Sequence, residues 1–202
     1  MSALRHGPVP SDALVLCIDM QRVFLERGPW HCPEAAAILP AVTRLVSARP
    51  AQSLFTRFIS AETPKDAVGA WQRYYRHWES VTISRIGRAP YNLHPDLAAI
   101  ARPENTFDKA TYDAFDAPGF AATIKTRAPE ALILCGVETD VCVLATVFSA
   151  VDLGYHVILA RDALTGADPK THEACLHMLE ARFDLQVEIA DTDVILAEWN
   201  TP

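Results

Sequence analysis

A cysteine can attack a carbonyl, and a carboxylate can take up a proton and return it to a leaving amine. Cys142, Asp19 and Lys109 are the residues of this sequence placed where a fold could bring such groups together. Cys142 follows the apolar run Ala131–Cys135 and the break at Gly136. It belongs to a stretch in which Val141, Leu144, Ala145, Phe148 and Val151 recur at helical spacing up to Gly154. Thr139 or Asp140 is positioned to cap that helix, which puts Cys142 in its first turn, where free N–H groups and the helix dipole favour a thiolate. Each residue also has an ordinary reading. A strand-end aspartate often caps a loop, a lysine is usually solvated, and a cysteine is usually a small core residue.

The elements that would position these groups alternate between strand and helix. Ala13–Ile18, Ser53–Ile59, Asn105–Lys109, Ala131–Cys135, Tyr155–Ala160 and Leu185–Ile189 read as strands. Leu39, Val42, Leu45 and Val46 share a helical face, with Pro40 tolerable only in the first turn. Asp116 can cap a helix over Phe120–Thr126, and Asp168 one from Pro169, with Cys175, Met178 and Leu179 inward. Gln21–Cys32 reads as a loop. Ser60–Leu93 reads as irregular, aromatic and arginine-rich, with Trp71, Tyr74, Tyr75 and Trp78 close together. The pattern predicts an α/β fold of one domain over 1–202: three layers, αβα, around a doubly wound, mainly parallel six-stranded sheet. Ligands bind such sheets outside the carboxyl ends of the strands. Asp19, Arg57, Lys109 and Cys142 all fall at or just past those ends.

Composition narrows the function. The chain has 202 residues, half of them hydrophobic, and a net charge of −7 with no basic run interleaved with aromatics. That speaks against nucleic acid and anionic membranes as partners and leaves a small molecule. Five cysteines, mostly in apolar runs, fit a reducing compartment and not a disulfide framework. The first residues lack the apolar core of a signal peptide, so cytoplasm is the expectation. There is no GxGxxG, GxxxxGK or GxSxG, so no cofactor is signalled. His172 and His177 stand five apart, about 140° around a helix, whereas a zinc helix needs a spacing of four. Both read as solvated helix residues.

Three stretches carry a resemblance: LCIDMQRVF (16–24), FDKATYDAF (107–115) and GVETDVCV (136–143). In order and spacing they resemble the cysteine-hydrolase branch of the isochorismatase-like family, alongside nicotinamidases and carbamoyl-amide hydrolases of the N-carbamoylsarcosine amidase type. The resemblance runs from about Leu14 to Ile189. It implies Cys142 as nucleophile, Asp19 as proton acceptor and later donor, and Lys109 as the charge holding both in place. It also implies a cis peptide between Val137 and Glu138, with the backbone N–H groups of Glu138 and Cys142 as an oxyanion hole. The family commonly forms dimers or tetramers, so a homodimer or homotetramer is expected.

Departures from the subfamilies refine the activity. Nicotinamidases carry a metal-binding Asp-x-His after the second strand. Here Thr56-Arg57-Phe58-Ile59-Ser60 stands there with no histidine before His77, so no metal is expected and nicotinamidase activity is disfavoured. Isochorismatases that cleave a vinyl ether generally lack the cysteine. The expected activity is therefore hydrolysis of a non-peptide C–N bond through an acyl-enzyme. A vinyl-ether hydrolase and a catalytically silent ligand-binding member are the alternatives. Phe24, Trp71, Tyr75, Trp78, Tyr112 and Phe115 are expected to shape the substrate pocket. Arg57 is expected either to bind a substrate carboxylate or to pair with an acid such as Glu62.

Overall fold

Six strands, all parallel, form one sheet in the order β3-β2-β1-β4-β5-β6 in a computed structural model that describes residues 3–199. They are β1 (Leu14–Ile18), β2 (Ser53–Phe58), β3 (Thr106–Lys109), β4 (Ala131–Gly136), β5 (His156–Leu164) and β6 (Val187–Ala190). The helices are α1 (Arg22–Leu25), α2 (Ala35–Ala48), α3 (Ala70–His77), α4 (Ile83–Ile86), α5 (Pro95–Ala98), α6 (Phe120–Arg127), α7 (Leu144–Asp152), α8 (Pro169–Arg182) and α9 (Thr192–Trp199). Both faces of the sheet are covered, which is why its central strands are apolar throughout instead of alternating. Val15 and Cys17 of β1 pack with α2 and α9 on one face. Leu14, Leu16 and Ile18 pack with α6, α7 and α8 on the other. This is the expected three-layer αβα, doubly wound architecture.

The strand order fixes where a site can form. From β1 the chain winds outward through β2 to β3, then crosses back to β4 beside β1 and winds the other way. The carboxyl ends of β1 and β4 therefore part at the point where winding reverses, opening a crevice. In-register pairing of Ile18 with Gly136 sets these two ends level. Gly136 is required there. Its φ is +113°, and a Cβ would stand 2.0 Å from the Ile18 carbonyl oxygen.

Several local expectations are corrected. Pro40 lies inside α2, not in its first turn. Its side is exposed, so water can reach the Ala36 carbonyl that loses its partner. Asp116 does not cap α6. Gly119 does so in a left-handed conformation, while Asp116 accepts from the Thr111 hydroxyl at 2.9 Å. Asp168 caps α8 as expected, accepting from Lys170 N–H at 2.8 Å. The supposed loop at 21–32 contains α1, and the supposed irregular segment contains α3 and α4. Strand β5 runs on to Leu164, where it regains pairing with Gly136 after a register shift. Helix α9 follows β6, and none was expected there. No helix among the described residues is long and apolar enough to cross a membrane.

Candidate active site

Asp19 leaves β1 with φ +49°, a conformation rare outside glycine and held here by its partners. Its backbone N–H donates to Thr56 Oγ1 at 3.2 Å, and the Thr56 hydroxyl donates to Asp19 Oδ1 at 2.7 Å. The other carboxylate oxygen, Oδ2, accepts from Lys109 Nζ at 2.7 Å. Both side chains of this pair are fully buried. Lys109 ends β3, and its ammonium also donates to the carbonyls of Thr111 at 3.1 Å and Tyr112 at 2.9 Å. All three of its protons are thus engaged. Burial opposes the Lys109 charge, yet Asp19 and Cys142 outweigh it and raise its pKa.

Cys142 sits in a single π-helical turn, Thr139–Val143, between β4 and α7. No side chain caps this turn, so neither Thr139 nor Asp140 plays the role expected of it. Thr139 is instead clamped from α8. Its hydroxyl lies 2.9 Å from His172 Nδ1, and its carbonyl accepts from the Cys175 thiol at 3.6 Å. His172 is therefore a support for the nucleophile turn and not a solvated residue, while His177 is exposed. Behind the turn, the Thr146 hydroxyl donates to the Cys142 carbonyl at 2.8 Å. The Val137–Glu138 peptide is cis. The Cys142 thiol stands close enough to Asp19 and Lys109 for each to act on it. Burial and then the Asp19 carboxylate push its pKa well above the ordinary range, with Lys109 pulling the other way. Burial beside Asp19 thus works against the thiolate that a helix start alone favours.

The thiol opens into a cavity of about 290 Å³. Its walls are aromatic: Phe24 and Trp30 before α2, Phe58 at the end of β2, Tyr74 and Trp78 of the α3 segment, and Tyr112 after β3. Phe24 and Trp30 stack with their planes 6° apart, and Trp71 braces Tyr112 edge-on at 4.9 Å. Glu138 and His31 are the other ionisable groups in the lining besides the thiol and the tyrosines. Burial first, and then Asp140 and Asp19, raise the Glu138 carboxyl to about 7.

The expected pocket is thus partly corrected. Phe24, Trp78 and Tyr112 line the cavity. Tyr75 is buried in the core against Trp30 and Trp71. Trp71 stands behind Tyr112, facing a neighbouring cleft. Phe115 packs edge-on against Phe120, beneath α6. Arg57 faces another cleft, where its guanidinium forms a two-pronged pair with Asp108 at 2.6 and 2.9 Å. The reason is register: Arg57 and Asp108 are direct neighbours on β2 and β3. Asp108, not Glu62, is its partner. Residues to which the sequence assigned no role include Trp30, Thr56 and Gln21. The buried Gln21 amide donates to the carbonyls of Phe58 and Tyr91 and accepts from Phe58 N–H, tying the ends of β1 and β2 to the loop at Tyr91. Among the described residues, no group of three or more His, Cys, Asp or Glu side chains could hold a metal ion.

Residues 13–192 match the family model described as an Isochorismatase domain. This chain belongs to the isochorismatase family. Its family relatives include a protein of Arabidopsis thaliana named as a probable inactive nicotinamidase, 27% identical over 167 residues, spanning 81% of this chain and 85% of that one. Ureidoacrylate amidohydrolase RutB of Azorhizobium caulinodans is 24% identical over 200 residues, spanning 89% and 88%. Among solved structures, N-carbamoylsarcosine amidase of Thermoplasma acidophilum superposes with a TM-score of 0.69 at 15% identity, covering 90% of this chain and 96% of that one. At that identity the likeness speaks for the isochorismatase-family fold.

Proposed function

We propose that this isochorismatase-family protein is a hydrolase of C–N bonds that cleaves a small amide or carbamoyl compound through an acyl-enzyme on Cys142. The observation carrying this reading is the buried Asp19–Lys109 pair set beside a thiol at the base of an aromatic cavity. A raised thiol pKa makes a free thiolate scarce, so the sulfur needs a base at the moment of attack. Asp19 is that base. As Sγ bonds to the substrate carbonyl carbon, the thiol proton passes to Asp19 and the carbonyl electron pair moves onto oxygen. The N–H groups of Glu138 and Cys142 are assigned to that oxygen, a contribution of about 3 kcal/mol per donor in comparable sites. Collapse breaks the C–N bond, and the leaving nitrogen takes the proton from Asp19. Water then attacks the thioester, gives a proton to Asp19, and releases the acid as the thiol is restored. Lys109 stays charged throughout and keeps Asp19 oriented.

Incubation with a panel of primary amides, carbamoyl acids and ureido compounds tests the proposal. The expected result is ammonia or amine release together with an acyl mass adduct that peptide mapping places on Cys142. Turnover of an amide by Cys142→Ala would overturn it. Ether cleavage by that variant would instead favour the vinyl-ether reading, and absence of both adduct and turnover across the panel would favour a silent member.

A further inference from the structure

The cavity that holds Cys142 has a charge character of its own. Six aromatic rings form its walls, and Glu138 lines the same space, with its carboxylate close enough to Tyr74 and Tyr112 for both to sense its charge. No arginine or lysine belongs to the lining. Lys109 lies outside it, with its three donors already taken by Asp19 and two backbone carbonyls. Glu138 itself has no side-chain hydrogen bond or ion pair with any described residue. Its backbone carbonyl serves the turn, accepting from the N–H groups of Val141 and Val143. The carboxylate is thus a partly buried acceptor to which no described residue donates. Such a group costs stability unless something pairs with it.

Ring faces are electronegative and attract cations, most strongly when water is excluded. A carboxylate beside them adds Coulombic attraction in the same direction. An anionic substrate would meet the opposite arrangement, because no guanidinium belongs to the lining and Arg57 is paired with Asp108 in another cleft. The volume of about 290 Å³ admits only a small group. We propose that Glu138, with the rings of Trp30, Tyr74 and Trp78, selects substrates whose body carries a compact alkylammonium group. This rests on the reading of the cavity as the substrate site, and its charge is opposite to that of the acid group an Arg57 in the pocket would bind. The net charge of −7 draws such cations from a distance as well.

The groups around Glu138 determine how its charge responds to pH. Asp140 lies on its own turn and Asp19 comes from the end of β1; both raise its pKa, after burial. Across the cavity stand Tyr74 of α3, Tyr112 after β3, and His31 of the segment before α2. Cys142 lies on the same turn, and Cys32 is close enough to sense the Glu138 charge. With its carboxyl at about 7, Glu138 is charged at pH 8.5 and largely neutral at pH 5.5.

Two isosteric amides test the proposal: trimethylammonioacetamide and 3,3-dimethylbutanamide, which differ in a quaternary nitrogen against a quaternary carbon. Their dissociation constants are measured by calorimetry on the full chain carrying Cys142→Ala, so that binding is read without turnover. At pH 8.5 the cation is expected to bind about tenfold more tightly than its neutral isostere. The preference should fall about fivefold on adding Glu138→Gln, which keeps the backbone N–H and leaves the rings to supply the remainder. It should fall similarly at pH 5.5 without that substitution, and still do so with His31→Asn, which removes the other lining group able to gain charge on acidification. A preference for the neutral amide, or a cation preference that neither Glu138→Gln nor acid reduces, overturns the proposal. An acyl adduct on Cys142 in the unsubstituted protein is scored separately, so failure of the acyl-enzyme reading and failure of this one are distinguishable.

Discussion

The base of the cavity and its walls are built on opposite principles. Asp19, Lys109 and Cys142 hang from the carboxyl ends of β1, β3 and β4, and their polar atoms answer one another within 3.2 Å contacts to Thr56 and the Thr111 and Tyr112 carbonyls. Most of the walls come from two excursions away from the sheet, one carrying Phe24 and Trp30 and the other Tyr74 and Trp78, joined by ring packing; Phe58 and Tyr112 complete them from the ends of β2 and β3. In the base, removing either member of the Asp19–Lys109 pair strands a buried charge. In the walls, removing one group mainly loses apolar area. The comparison teaches that the two excursions can change the shape of the cavity with little effect on the base, whereas Phe58 and Tyr112, which follow the strand ends closely, belong to both.

The sharpest test of that division is Cys142→Ala, which should lower turnover about 10⁴-fold or more while leaving the unfolding midpoint nearly unchanged. Initial rates and urea unfolding measured on the same preparation check both halves; turnover within tenfold of the parent would move the chemistry elsewhere. Lys109→Met should instead act on the fold. It leaves the Asp19 carboxylate buried and unpaired, at a cost of about 3–5 kcal/mol in chemical denaturation. A loss below about 1 kcal/mol would mean that the pair does not depend on its buried position.

Adjacent tyrosines separate wall from core. Tyr75 is 2% exposed, so Tyr75→Ala should cost about 3 kcal/mol of stability. Tyr74→Ala should raise KM about tenfold with a smaller stability loss, because Tyr74 faces the cavity. Equal effects of the two on KM would erase the boundary drawn here. Glu138 supplies a smaller effect with a definite sign. Its folded carboxyl, at about 7, lies above the ordinary value of 4.5, so the folded protein holds that proton more tightly than the unfolded chain. Stability is therefore lost as pH rises from about 4.5 to about 7 and stays lost above it. Glu138→Gln should be more stable than the parent by up to about 3 kcal/mol at pH 8 and equal to it near pH 4, as thermal unfolding across pH would record. Smallest of all, Arg57→Lys should change KM less than about twofold and stability by no more than about 1 kcal/mol, since its half-exposed partner Asp108 lies outside the cavity. A larger KM change would return Arg57 to the substrate site.

The sequence made the base more legible than the walls, and for a physical reason. A buried parallel strand is a short apolar run, so its carboxyl end can be read locally, and three such ends carry Asp19, Lys109 and Cys142. The supporting groups were hidden because their roles arise across the sheet: Thr56 and Gln21 act on partners 37 residues away. The wall helix was legible in principle. Trp71, Tyr74, Tyr75 and Trp78 stand at i, i+3, i+4 and i+7, the inward stripe of α3, with Arg73, Arg76 and His77 exposed. Which of the four rings turns to the cavity and which to the core depends on what α3 packs against, and periodicity carries no information on that. Arg57 was misplaced for a similar reason, because its partner is set by the register between β2 and β3.

One consequence of the way Lys109 is held concerns durability. A thioester beside a primary amine is unstable, because the nitrogen lone pair captures the acyl group and leaves an amide that does not hydrolyse on the same timescale. The Lys109 amine has no lone pair to offer. Its three protons donate to Asp19 and to the Thr111 and Tyr112 carbonyls, and the Asp19 carboxylate favours the charged form. On the proposed acyl-enzyme route, the same three contacts that orient Asp19 would guard an acylated Cys142 against S-to-N transfer, so that the acyl group leaves as product.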